Sequence, residues 1–154
     1  MHVVLFEPEI PPNTGNVARL CAAMRVELHL IEPLGFSLEN RYMKRAGLDY
    51  WPHVCVSVWP SLEGYREKAG KGKRLVASSS RSGTPVHRFA FTPHDALLLG
   101  PETRGLSEDL LASVPLRVRI PIHDTVRSLN LSTAAGILLV QAMIATGALD
   151  RVDE

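Results

Sequence analysis

The 154-residue sequence is short of several things, and each shortage excludes a class of protein. Cysteine occurs only at positions 21 and 55, each within an apolar stretch, which argues against a disulfide scaffold and for two buried free thiols in a reducing compartment. The longest nearly uncharged apolar run, Ala134–Ala145, has 12 residues, well below the roughly 20 that a membrane-spanning helix needs. The opening MHVVLFEPEIPP shows neither a basic n-region nor a small-residue cleavage site, so a soluble, cytoplasmic protein is expected. No G-x-G-x-x-G and no G-x-S-x-G occurs, and GKGKR departs from a phosphate loop because Arg74 follows Lys73 where Ser or Thr is required. The six histidines lack H-E-x-x-H or paired-cysteine spacing, so no metal is expected. There is no internal repeat and no low-complexity segment.

What remains is a chain that is 45% hydrophobic, enough for one globular domain spanning 1–154. Its net charge of +1 hides an uneven distribution: residues 41–91 hold ten Lys/Arg against three Asp/Glu, a local +7, and the rest carries −6. A surface polarised in this way suits a polyanion gripped on one side. Apolar runs of strand length recur at Val3–Phe6, Val26–Ile31, Val54–Val58, Leu75–Ala77, Ala96–Leu99 and Val118–Ile120. Helical spacing or start signals lie between them, at Asn16–Arg25, Leu38–Ala46 after Ser37, Leu62–Ala69 after Pro60-Ser61, and Glu108–Ala112 after Ser107. Alternation of strands and helices predicts an α/β fold, a mostly parallel sheet with helices on both faces.

The last helix is expected over residues 131–149. Its stretch AAGILLVQAMIA is apolar nearly all round, which implies cover on every side, and a second subunit is the simplest cover. A homodimer through this helix is therefore predicted.

Three loops, each after a predicted strand, are richer in Asn, Ser, Gly, Glu and Arg than connection alone requires. In EPEIPPNTGNVAR, prolines stiffen the backbone and Asn13 or Thr14 is the expected cap of a helix beginning near Asn16, whose free N–H groups would favour an anion. In LLLGPETRGLSEDLL, Gly100 and Gly105 allow close approach, and Glu102 and Arg104 bring charge. In RIPIHDTVRSLNLSTAAG, Ser128, Asn130 and Ser132 stand where the last helix starts.

NTGNVAR, LLLGPETRGL and SLNLS, in this order, resemble the three motifs of the SpoU/TrmH class of SPOUT RNA methyltransferases. EPEIPPNTGN, IEPLGF and KRAGLDYW are similar to the small TrmL/YibK-like branch. The resemblance covers almost the whole chain. It implies a C-terminal trefoil knot, an exception to the usual unknotted rule, a homodimer, and S-adenosyl-L-methionine as methyl donor. The implied reaction is methylation of the ribose 2′-hydroxyl of the wobble cytidine or uridine in the tRNA anticodon loop. The same motifs also fit a methyltransferase acting on another tRNA or rRNA position, or a non-catalytic knotted protein that binds RNA or cofactor.

Carried onto this sequence, the resemblance implies catalytic roles for Asn13, Arg19, Glu102, Ser128 and Asn130, and cofactor contacts at Ser78, Gly100, Ile120, Ser128 and Leu129. For the RNA backbone the expected residues are Lys44, Arg45, Lys71, Lys73, Arg74 and Arg127. One departure stands out: the family's Tyr-Glu in the last helix is replaced by Val140-Gln141. A valine cannot stack on a base as an aromatic could.

Overall fold

A computed structural model describes residues 1–39 and 51–154. The chain forms β1 (His2–Phe6), α1 (Pro11–Ala23), β2 (Glu27–Ile31), β3 (Val56–Trp59), α2 (Leu62–Glu67), β4 (Arg74–Ser78), β5 (Thr84–Pro85), β6 (Asp95–Leu99), α3 (Glu108–Ser113), β7 (Leu116–Arg119) and α4 (Leu131–Ala145). The strands lie in one sheet in the order β3-β2-β1-β6-β4-β7-β5, every neighbouring pair parallel. Among the described residues no helix is long and apolar enough to cross a membrane.

Side chains alternate across the strands and so build two cores. Val3, Leu5, Leu28, Leu30, Val76, Leu97 and Val118 face one way, packing under Val17 and Cys21 of α1 and Leu138, Leu139 and Met143 of α4. Val4, Ile31, Ala77, Ala96 and Leu98 face the other way, against Leu62 and Tyr65 of α2 and Leu111 of α3. Each fully buried Leu or Val contributes about 1.5–3 kcal/mol of transfer free energy. Helices thus cover both faces, as the alternating pattern predicts.

The differences are local and have physical causes. Helix α1 starts at Pro11 rather than Asn16, and Ile10, which has no side-chain cap bond, precedes it. Pro11 and Pro12 are at home in a first turn, because their fixed φ fits a helix and their missing N–H is not needed there. Asn13 and Thr14 are consequently inside the helix and do not cap it. Cys21 is buried as expected, but Cys55 is exposed, because it precedes β3 at the edge of the sheet. Helix α4 stops at Ala145, and Gly147 at φ +67 turns the chain into a short 3-10 turn at Leu149–Arg151. The predicted helix Leu38–Ala46 falls largely on 40–50, outside the described residues. Within this chain α4 is covered incompletely: Ile137 is 39% and Ile144 56% exposed.

Candidate active site

The sheet runs from β1 outward to β2 and β3, then crosses to the other side, where β4 is laid down first and β6 later fills the place between β4 and β1, so β1 and β6 mark the point where the winding reverses. In parallel α/β sheets that reversal opens a crevice beyond the carboxyl ends of the strands. A cleft of about 640 Å3 lies there. The loops after β1, β4, β6 and β7 supply its walls, including Asn13, Ser78, Gly100, Glu102, Ile120 and Ser128.

One chain of hydrogen bonds ties three of these loops together. Glu102 accepts from the backbone N–H of Glu9 at 2.8 Å and of Ile10 at 3.1 Å, and from Asn13 Nδ2 at 3.4 Å. Helix α1 has no acidic residue in its own first turn, so Glu102 supplies from another loop the negative charge this end favours. The anion site expected at this helix end is therefore taken by a carboxylate of the protein.

Asn13, 7% exposed, then receives Asn130 Nδ2 on its Oδ1 at 2.9 Å. Asn130 Oδ1 caps α4, accepting from Ser132 N at 2.9 Å and Thr133 N at 3.4 Å, and from Ser132 Oγ at 2.7 Å. The orientation of both amides follows from this. A carboxylate only accepts, so Asn13 turns its NH2 to Glu102 and its oxygen to Asn130; backbone N–H groups only donate, so Asn130 turns its oxygen to α4.

A second clasp joins the same two loops. Thr103 Oγ1 donates to the Glu9 carboxylate at 2.8 Å, and Arg104 pairs with Glu7. Glu7, at φ +49, turns the chain sharply out of β1. Gly100 is needed for the same close packing: a Cβ there would lie 2.4 Å from Leu106 N and 2.6 Å from Gly105 C.

The cleft has what an adenosyl and methionyl group needs. Leu99, Leu106, Ile120, Leu129 and Leu131 give apolar wall beside the serines at 78 and 128. Its volume lies in the ~300–1,000 Å3 range of small-molecule sites. All five residues expected at the cofactor line it, with Asn13, Glu102, Asn130 and Arg127.

Other expected residues lie elsewhere. Arg19 is exposed on α1 and is not in the cleft wall. Lys71 and Lys73 precede β4, at the end of the strands opposite the cleft, and do not line it. Arg74 is committed to a structural pair with the fully buried Asp95, Nε–Oδ1 2.6 Å and Nη2–Oδ2 3.0 Å, and also donates to Ala90 O at 2.7 Å. Lys44 and Arg45 lie outside the described residues. Arg81 and Arg117 line the cleft and were not singled out by the sequence, because only the fold brings them there.

Toward the other end of β1 and β2 the fold gathers His2, Glu27 and His29, with ligand-type atoms within 4.8 Å of one another. The spacing of the histidines in the chain does not reveal this. Trp59 Nε1, a donor only, donates to His29 Nδ1 at 3.1 Å, so neutral His29 carries its proton on Nε2, 3.4 Å from Glu27. That proton stands where a metal would bind, and the two buried rings read as packing beside the exposed Glu27. Burial first, then the neighbouring His29, Lys73 and the terminal amine, lowers the pKa of His2 to about 3.

Comparison with known proteins agrees with this geometry. The model of the SpoU rRNA Methylase family matches residues 1–140. The tRNA (cytidine(34)-2'-O)-methyltransferase of Aeromonas hydrophila is 42% identical over 144 residues, covering 92% of each chain. A solved structure described as giving structural insights into the 2-OH methylation of C/U34 on tRNA superposes with a TM-score of 0.89 at 46% identity, covering 94% of each chain. The SpoU methyltransferase AviRb from Streptomyces viridochromogenes, in complex with the cofactor AdoMet, superposes with a TM-score of 0.80 at 25% identity, over 100% of this chain and 61% of that one.

Proposed function

Because the chain belongs to the SpoU methylase family, we propose that it methylates the ribose 2′-hydroxyl of the wobble cytidine or uridine of tRNA, using S-adenosyl-L-methionine. The observation that carries this reading is the Glu102–Asn13–Asn130 chain, which closes three motif loops around one cleft. The cofactor supplies an activated methyl group on a sulfonium. The protein has to align the 2′-oxygen with that methyl group and keep water out, which is work for a rigid wall. Gly100, Ile120, Ser128 and Leu129 would hold the donor, and the locked amides fix the loops that carry them.

The hydroxyl proton must also leave. A guanidinium is no base in a protein, so Arg19 serves by position. It grips the ribose hydroxyl and the adjacent phosphate, and the phosphate shares in taking the proton. Arg19→Lys keeps the charge but loses the two-pronged grip.

Because Arg19 stands outside the cleft of its own protomer, the site is completed in a homodimer. Ile137 and Ile144 of α4, with the half-buried Val140 between them, give the apolar stripe that a second copy covers. Val140 thus falls on the dimer seam, where an aliphatic side chain can replace an aromatic one. The family's C-terminal knot and a cytoplasmic location, where tRNA is found, belong to the same reading.

The test is methyl transfer to an anticodon stem-loop. A stem-loop with ribose at position 34 should accept labelled methyl, and the same RNA with 2′-deoxyribose there should not. Equal labelling of both would refute the reading.

A further inference from the structure

Resting on that reading, we propose that Arg81 and Arg117 form a phosphodiester-binding pair on the wall of the cleft, holding the RNA backbone beside the target ribose.

The fold builds this wall deliberately close. Arg81 lies in the loop after β4 and Arg117 in β7, and both line the cleft. Gly83, at φ +109, lies flat on Arg117: a Cβ there would stand 2.7 Å from the Arg117 carbonyl carbon and oxygen. Only glycine allows that approach, and it presses the loop carrying Arg81 onto the strand carrying Arg117. Ser79 Oγ accepts from the N–H of Arg81 and of Ser82, both at 3.2 Å, which fixes the backbone under Arg81.

Charge then selects the ligand. Four arginines line the cleft: 81, 104, 117 and 127. Arg104 is neutralised by Glu7, whereas the other three meet no carboxylate at ion-pair distance among the described residues. The cleft acid Glu102 is spent on Asn13 and the start of α1, and Glu108 sits in the first turn of α3. S-adenosylmethionine, with a sulfonium, an ammonium and one carboxylate, brings a further positive charge. A cleft with this excess is complementary to a polyanion, and the planar guanidinium matches phosphate oxygens two at a time. The lysines at the far end of the strands do not line the cleft, so the pair supplies locally what the basic sequence run does not.

The experiment measures binding of the anticodon stem-loop to wild type, Arg81→Ala, Arg117→Ala and the two Lys variants over a salt series. Affinity for S-adenosylmethionine is titrated in parallel. Each Ala variant should weaken RNA binding roughly tenfold. It should also reduce the slope of log K against log salt by about 0.7–1. The Lys variants should keep the slope while losing part of the affinity, and donor affinity should stay within about twofold. Unchanged RNA affinity in correctly folded variants would overturn the pair. So would a weakened donor with intact RNA binding, which would assign the guanidiniums to the methionine carboxylate. If wild type methylates no wobble ribose but binds another RNA with the same variant slopes, the proposed substrate falls and the pair stands; if it binds no RNA, both fall.

Discussion

Asn130 donates to Asn13 at 2.9 Å across 117 residues of sequence, and this bond fastens the start of the last helix to the first loop of the chain. Asn13 in turn is held by Glu102, so the residues nearest the cleft form a relay whose donors and acceptors each have one possible direction.

Removing Asn13 should therefore cost more than one hydrogen bond. Asn13→Ala leaves the Asn130 amide without its acceptor and Glu102 without one donor, and is expected to destabilise by about 1–3 kcal/mol. Thermal melts of Asn13→Ala, Asn130→Ala and the double variant should show strong non-additivity. Additive losses would mean that the two residues act separately.

Asn13→Asp tests the electrostatics of the same spot. It sets a second carboxylate at the 3.4 Å contact with Glu102, where two charges in a largely buried site repel. The pair should hold on to one proton, so this variant is expected to be less stable at pH 8 than at pH 5 relative to wild type. Stability curves at the two pH values decide it.

Gly100→Ala and Gly72→Ala should separate two kinds of glycine. At Gly100 a Cβ meets backbone at 2.4 Å, which cannot yield cheaply, and donor binding and stability should both fall sharply. At Gly72, φ +77, nothing lies within 4 Å, so only the conformational cost of roughly 1 kcal/mol is expected. Chemical denaturation and a donor titration of both variants read the contrast.

Much of this was legible in the sequence, and the remainder was hidden for identifiable reasons. Strand cores at Val3–Leu5 and Leu97–Leu99 and the caps at Ser61 and Ser107 depend on neighbours a few residues away, so local pattern exposes them. Arg74 looks like part of a basic surface run because its partner Asp95 is 21 residues on. Lys71 and Lys73 share that run, but the direction of β4 puts them at the end of the strands opposite the cleft. The N-terminus of α1 resembles an anion site until Glu102 arrives from 92 residues away. Arg81 and Arg117 gain meaning only once Gly83 packs the loop of one against the strand of the other.

The histidine cluster makes a pH prediction. His2 titrates near pH 3 in the folded protein against 6.5 ordinarily, and His29 is lowered too, chiefly by burial. Below about pH 6.5 the unfolded chain then binds more protons than the folded one, so stability contributed by the neutral rings is complete above that pH. For His2 it is lost as pH falls toward about 3, at up to about 1.4 kcal/mol per pH unit. His2→Asn should flatten the slope of stability between pH 6 and 4; an unchanged slope would remove His2 as its source.

The α4 stripe gives a size prediction. Ile144→Glu puts a charge at the more exposed isoleucine of the proposed seam and should convert dimer to monomer in sedimentation, with the fold retained by circular dichroism. A wild type that sediments as a monomer at micromolar concentration would contradict the dimer.

The most direct test of the account is nucleoside mass spectrometry of tRNA lacking wobble ribose methylation, incubated with the protein and S-adenosylmethionine beside Arg19→Ala. The account predicts 2′-O-methylcytidine or 2′-O-methyluridine at position 34, absent with the variant. A methylated nucleoside at any other position, or no product from a protein that binds both tRNA and donor, would contradict it.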